Sequence, residues 1–277
     1  MSYSAQRFQE NGTPTKASRK RKTRREKVAT GEPLEAKDKF VEKKEDEVKR
    51  APIKAMTQKQ QLYLDMLRDP DIHIIIATGL FGTGKTYLPS AYAADLLREH
   101  KIAKIIVSRP YEQTGKTSGF KPGTSLQKLY PYVRTMLDTM KSRMGYGAFK
   151  IALDDGLQGT IEVQELESIR GRSFDEHSYL IVDESQQASS EALLSIVTRV
   201  SDNCKLVLCG DLQQRDIEGS SGLKWFMDFA ERHSIKGIGI VDFNEVDDIV
   251  RGGIVKSIAV GLAKDERKGQ WTPQKNR

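Results

Sequence analysis

With 277 residues, 38% of them hydrophobic, the chain has room for one large domain with tails, and a core of about 200 residues buries enough apolar surface to be stable alone. The formal charge of +7 is concentrated in residues 1–50, which hold 15 Lys and Arg against 9 Asp and Glu and leave 30 against 29 for the rest. No apolar run approaches the ~18 residues of a membrane span and the N-terminus has no secretory apolar stretch, so no membrane partner is expected and the location expected is cytoplasmic (host cytoplasm for a viral chain).

Residues 1–54 lack hydrophobic periodicity and are dense in Lys, Arg, Glu, Ser, Thr and Gly, a composition that cannot offset ordering entropy, so a disordered basic tail is expected. The block Arg19 to Lys27 reads equally as a nucleic-acid tether or as a solvated solubility tail, and a nuclear-targeting signal would look the same. Cys204 and Cys209 flank one apolar strand without C-x-x-C spacing or a nearby Cys/His cluster, so both are read as reduced structural thiols.

The domain is expected over residues 55–262. Thr57-Gln58-Lys59-Gln60 has capping-box spacing, and Leu62, Tyr63, Met66 and Leu67 follow at helical intervals. Gln60 reads as a cap or as a reader of an adenine edge. The β-branched run Ile72 to Ala77 is a strand, and it leads into Gly79-Leu80-Phe81-Gly82-Thr83-Gly84-Lys85-Thr86. That stretch has the G-x-x-x-x-G-K-[ST] pattern of a phosphate-cradling P-loop. Tyr87 to Glu99 is a helix by composition and spacing. In this context glycines turn backbone N–H groups toward a polyphosphate, with Gly79, Gly82, Thr83 and Gly84 forming the cradle. Lys85 would reach the β- and γ-phosphates, and the Thr86 hydroxyl would ligate Mg²⁺.

A second strand, Ala103 to Ser108, ends at Arg109-Pro110, and a loop over 111–125 follows. A helix from Leu126 to Met144 carries Leu129, Tyr130, Val133, Met136 and Leu137 on its apolar face, and a short strand is expected near Ile161. Residues 145–160 remain unassigned. Tyr179-Leu180-Ile181-Val182 is a buried strand ending in Asp183-Glu184, where ligands of open parallel sheets bind. Asp183 would hold Mg²⁺ and Glu184 would activate water. After a helix over 189–200, the strand Lys205 to Cys209 ends in Gly210-Asp211-Leu212-Gln213-Gln214, where a glutamine could sense a γ-phosphate. A helix over 221–232 and a strand from Ile238 to Val241 precede a last helix, expected over 246–262 with Arg251 in its first turns. Residues 263–277 are a polar tail.

The series of motifs resembles the PhoH-like ATPase family, itself similar to the first RecA-like domain of superfamily 1 helicases. The resemblance rests on Thr57-x-x-Gln60-x-x-Tyr63, the P-loop, Ser108-Arg109-Pro110, Gly119-Phe120-x-Pro122-Gly123, Arg170-Gly171-Arg172, Asp183-Glu184-Ser185-Gln186, Gly210-Asp211-x-x-Gln214-x-Asp216 and Asp248-Ile249-Val250-Arg251. Ser185 stands where that family usually has alanine, Leu80-Phe81 replace its usual Pro-Ala, and the common His-Pro after the arginine is missing. The resemblance implies an α/β fold of three layers, a mostly parallel sheet with helices on both faces, of the RecA-like P-loop NTPase class.

It also implies ATP and Mg²⁺ as ligands, Gln60 as an adenine contact, Gln214 as a γ-phosphate sensor and Arg251 as an arginine finger. Arg109, Lys116, Phe120, Lys121 and Arg172 become candidates for contact with single-stranded RNA or DNA, although Arg109 also suits a structural ion pair. A chain with room for one RecA-like lobe would complete its site from a neighbouring copy, and the resemblance implies a hexameric ring. Two functions follow as expectations: an oligomeric ATPase coupled to single-stranded nucleic acid, RNA more than DNA, or a nucleotide-gated binding switch with slow ATPase and no unwinding.

Overall fold

The structure, a computed structural model, describes residues 50–110, 125–153, 159–169, 174, 177–212 and 221–267. Residues 1–49 of the basic tail, Lys116, Phe120, Lys121, Arg172, Gln214 and residues 268–277 of the expected polar tail lie outside the described residues, while residues 263–267 of that tail are helical.

Among the described residues six strands form one sheet: β1 (Ile74–Gly79), β2 (Lys104–Arg109), β3 (Ile161–Glu165), β4 (Ser178–Val182), β5 (Lys205–Cys209) and β6 (Ile238–Phe243). Their order is β3-β2-β4-β5-β1-β6, and every neighbouring pair is parallel. Successive side chains of a strand point to opposite faces, so a sheet covered on both sides needs apolar residues at nearly every position. Ile75 and Ala77, Ile105 and Val107, and Val207 and Cys209 face α1 (Gln58–Arg68), α2 (Tyr87–Arg98), α3 (Ser125–Met144) and α4 (Tyr146–Ala152). Ile74 and Ile76, Ile106, and Leu206 and Leu208 face α5 (Leu166–Ile169), α6 (Ser190–Val197) and α7 (Gly222–Arg232). The result is the three-layer α/β architecture that the family resemblance implies.

The helices start where short polar side chains can take an orphan N–H. Thr57, Ser189 and Ser221 accept from the backbone N–H of Gln60, Ala192 and Lys224 at 3.1, 3.2 and 3.5 Å, contacts worth about 1 kcal/mol each. Gly222, next to the last of these caps, lies against α6. A Cβ there would stand 2.5 Å from the Ser189 carbonyl carbon and oxygen, so backbone would have to move. Gly222→Ala is therefore expected to destabilise the domain by about 1–3 kcal/mol, as overpacking does, and urea denaturation measures this directly.

Two elements differ from expectation. β1 begins later and runs through Gly79, because β6 extends to Phe243 and pairs with it to the end. The expected helix over 246–262 is broken. A 3₁₀ turn, Val246–Asp248, is followed by non-helical residues, and the helix proper is α8 (Gly253–Arg267). The backbone N–H groups of Val250 and Arg251 both donate to the carbonyl of Gly82, at 3.0 and 3.1 Å. They are thereby withdrawn from a helical ladder, and Gly252-Gly253 lower helix propensity further. Arg251 thus precedes the helix rather than opening it.

Both cysteines are free and buried. Burial pushes the Cys204 thiol up to about 12 and raises that of Cys209 as well. Since the thiolate is the reacting species, the folded protein is expected to resist a thiol reagent near pH ~8, and denaturant should release both groups. Ellman titration with and without urea checks this.

Candidate nucleotide site

Because the strands are parallel, the loops at their carboxyl ends gather along one edge of the sheet. With β5 between β4 and β1, the P-loop after β1 and the acidic turn after β4 can close on one another. Gly79, Gly82 and Gly84 have φ of +110°, +73° and +89°, the left-handed region in which a side chain is costly. At Gly79 a Cβ would also lie 2.3 Å from the Phe243 carbonyl oxygen. That closeness lets the Leu80 N–H donate to the same oxygen at 2.7 Å, fixing the loop to β6.

Lys85 folds back over this loop, its ammonium donating to the carbonyls of Gly79 and Leu80, both at 2.5 Å. Burial lowers its pKa, opposed most strongly by the charge of Asp211. Its own carbonyl accepts from the Tyr63 hydroxyl at 3.0 Å and the Cys209 thiol at 3.2 Å. The loop is thus supported from beneath by α1 and β5. Thr86 opens toward the acidic turn, and its hydroxyl donates to Asp183 Oδ1 at 2.9 Å. Burial raises the pKa of Asp183, with the Glu184 charge adding to this and the Thr86 bond opposing it.

Glu184 sits at φ 51°, ψ 36°, a left-handed backbone that costs a non-glycine residue about 1–2 kcal/mol and is concentrated at functional sites. Its Oε2 accepts from the Gln186 amide at 2.6 Å, and its Oε1 lies 3.8 Å from the Arg109 guanidinium. The Gln186 Oε1 accepts from the Asp211 N–H at 3.1 Å, so one amide bridges the ends of β4 and β5. Gly210 makes room for it, since a Cβ there would meet Gln186 Oε1 at 2.7 Å. Ser185, the departure from the family pattern, donates to the Cys209 carbonyl at 2.6 Å and reinforces the same junction.

Donor chemistry matches a small divalent cation. Thr86 and Asp183 offer a hydroxyl and a carboxylate, the sparse set of hard oxygens to which Mg²⁺ adds substrate phosphate and water. Among the described residues no group of three His, Cys, Asp or Glu forms a fuller metal cage.

The profile of the family described as PhoH-like protein matches residues 52–262. The chain belongs to that family. A PhoH-like protein of Mycobacterium bovis is 33% identical over 219 residues, covering 78% of this chain and 60% of that one. Protein PhoH of Escherichia coli K12 is 32% identical over 206 residues, covering 74% and 56%. The chain spans 56–60% of the length of these two curated relatives. A solved large terminase from a thermophilic bacteriophage superposes with a TM-score of 0.49 at 14% identity, over 76% of this chain and 50% of that one.

In this PhoH-like chain Gly79, Gly82, Thr83, Gly84, Lys85, Thr86, Asp183 and Glu184 come together as one cluster. Gln60 is buried beside them. Its Nε2 donates to the Thr83 carbonyl and its Oε1 accepts from the Met56 N–H, both at 2.8 Å. The side chain therefore braces the P-loop instead of returning to Thr57 as a reciprocal capping box requires. Arg251 is exposed and joined through its backbone to Gly82, and Arg109 is joined to Glu184. Lys59 completes the rim by binding Asn244, Glu245 and Asp248 at 3.0, 3.2 and 3.0 Å. Sequence reasoning assigned no role to Gln186, Asp211 or Tyr63. The signal for the first two was their place in the resemblance motifs, as polar residues just past the carboxyl ends of buried strands.

Proposed function

We propose that this chain is a Mg²⁺-dependent ATPase that works as a head-to-tail ring, a hexamer, and couples hydrolysis to single-stranded nucleic acid, RNA in preference to DNA. The observation that carries the ATPase reading is the direct bond from Thr86 to Asp183, 2.9 Å long. It joins the phosphate-cradling loop to the acidic strand end across β5.

In this reading the loop N–H groups and Lys85 bind the β- and γ-phosphates. Thr86 and Asp183 hold the metal, which when bound neutralises charge on the phosphate oxygens. Glu184 takes the proton of the attacking water, and Gln214 senses the γ-phosphate. Arg251 stabilises charge as phosphate is lost, a role worth about 10³–10⁵ in rate for an arginine finger. Gln60 contributes by holding Thr83 and, through it, the loop. Lys116, Phe120, Lys121 and Arg172 are assigned to the nucleic acid with Arg109.

One observation favours the alternative reading, a nucleotide-gated switch with slow turnover: both oxygens of Glu184 already have partners. Phosphate release measured with ATP and Mg²⁺, with and without single-stranded RNA and DNA, separates the two. Strong stimulation supports the coupled motor, and slow turnover unaffected by either polymer supports the switch. Absence of hydrolysis above a Glu184→Gln control refutes both. Light scattering that finds a fully active monomer in ATP and Mg²⁺ refutes the ring.

A further inference from the structure

β2 and β4 pair in register, with Ser108 opposite Val182, so the residues just beyond them, Arg109 and the Asp183-Glu184 turn, are neighbours. The guanidinium of Arg109 also reaches α3. Nη1 donates to the Tyr132 carbonyl at 3.5 Å, and the guanidinium carbon lies 5.6 Å from the centre of the Tyr132 ring. One cation therefore touches both the acid assigned to activate water and an aromatic ring on the outer face of α3. Tyr132 is 42% exposed, although it follows Pro131 in a helix whose Val133, Met136 and Leu137 are buried.

We propose that Arg109 is a positioning residue that restrains Glu184 until single-stranded nucleic acid docks on the Tyr132 face and draws the guanidinium away. The proposal rests on the ATPase reading above and names its control. An exposed tyrosine ring is what unpaired bases stack on, independently of sequence, and the partly buried guanidinium against it adds positive charge. A backbone phosphate brought beside them offers two oxygens to the planar fork of Arg109. The existing contact with Glu184, at 3.8 Å, is a loose ion pair that such a phosphate can replace. Glu184 Oε1 is then free to accept a proton from water, while Gln186 still holds Oε2 and sets the orientation of the carboxylate. No covalent bond changes in this step, and the cation exchanges one anionic partner for another.

The test uses the full chain and steady-state hydrolysis, read without polymer and with poly(U) or oligo(dT). Arg109→Gln is expected to raise the unstimulated kcat about fivefold, the population shift that loss of a partly exposed ion pair produces. The KM for ATP should hold, and the ratio of stimulated to unstimulated rate should fall toward one. Arg109→Lys, which keeps the charge but loses the fork, should give an intermediate ratio. Tyr132→Ala should lose stimulation, and Tyr132→Phe, which keeps the ring, should restore it. An Arg109→Gln variant that folds normally by melting curve yet lowers turnover in both conditions overturns the restraint. A wild type stimulated by polymer and an Arg109→Gln variant stimulated equally overturn the gate alone. A wild type that hydrolyses ATP but responds to neither polymer overturns the docking trigger together with the proposed nucleic-acid coupling.

Discussion

Glu184→Gln is expected to keep ATP binding and to lower turnover by about 10²–10⁴-fold, the range that loss of a positioned general base costs. The substitution is nearly isosteric, and the Gln186 amide that now donates to Glu184 Oε2 at 2.6 Å can donate to the new carbonyl oxygen. The left-handed turn, the bond from Ser185 to the Cys209 carbonyl and the junction with β5 do not depend on the charge. What disappears is the capacity to accept a proton. Asp183 loses an acidic neighbour, one of the two causes that raise its pKa, and keeps its bond from the Thr86 hydroxyl. Nucleotide affinity measured by fluorescence titration beside phosphate release would display this split. Equal loss of affinity and turnover would instead make Glu184 a binding residue, and unchanged turnover would remove it from the reaction.

The parts of the site that could be read from sequence are those determined locally. The P-loop is one contiguous pattern whose glycines answer to the positive φ found at Gly79, Gly82 and Gly84. The strands before it and before Asp183 are legible because a parallel sheet covered on both faces demands unbroken apolar runs. The cap at Thr57 is visible for the same reason, since a capping side chain bonds only two or three residues away.

Long-range contacts are not legible in this way. Arg251 reads as part of a helix in sequence, and the Gly82 carbonyl, distant in sequence, draws its N–H out of the ladder. Gln60 fits the spacing of a reciprocal cap, yet Thr83 and Met56 take both ends of its amide. Tyr132 lies off the apolar stripe of α3, so helical periodicity gives it no role. Its relation to Glu184 passes through Arg109 on a different strand.

Lys85→Met is expected to abolish useful ATP binding while leaving the fold as stable or more stable. The ammonium now bonds two loop carbonyls and would exchange them for phosphate oxygens. Removing one partner of a buried, hydrogen-bonded charge pair costs about 2–5 kcal/mol, which is about 30- to 5,000-fold in affinity. Stability moves the other way because burial lowers the pKa of this lysine in the folded chain. The unfolded chain then binds more protons than the folded one between that lowered pKa and the ordinary lysine range. Over that window wild-type stability rises with pH, and below it the buried charge opposes folding. Lys205, which burial brings to about 8, adds a rise of the same sign to both proteins, so the difference between them isolates Lys85. Methionine keeps the apolar stem in place and removes the charge, so Lys85→Met should lack the Lys85 part of the rise and match or exceed the wild type near neutral pH. Urea melts across pH, set beside calorimetric ATP titrations, test both signs. A variant that binds ATP like the wild type, or one that is markedly less stable near neutrality, would show that Lys85 serves the loop as a structural clamp and not the phosphates.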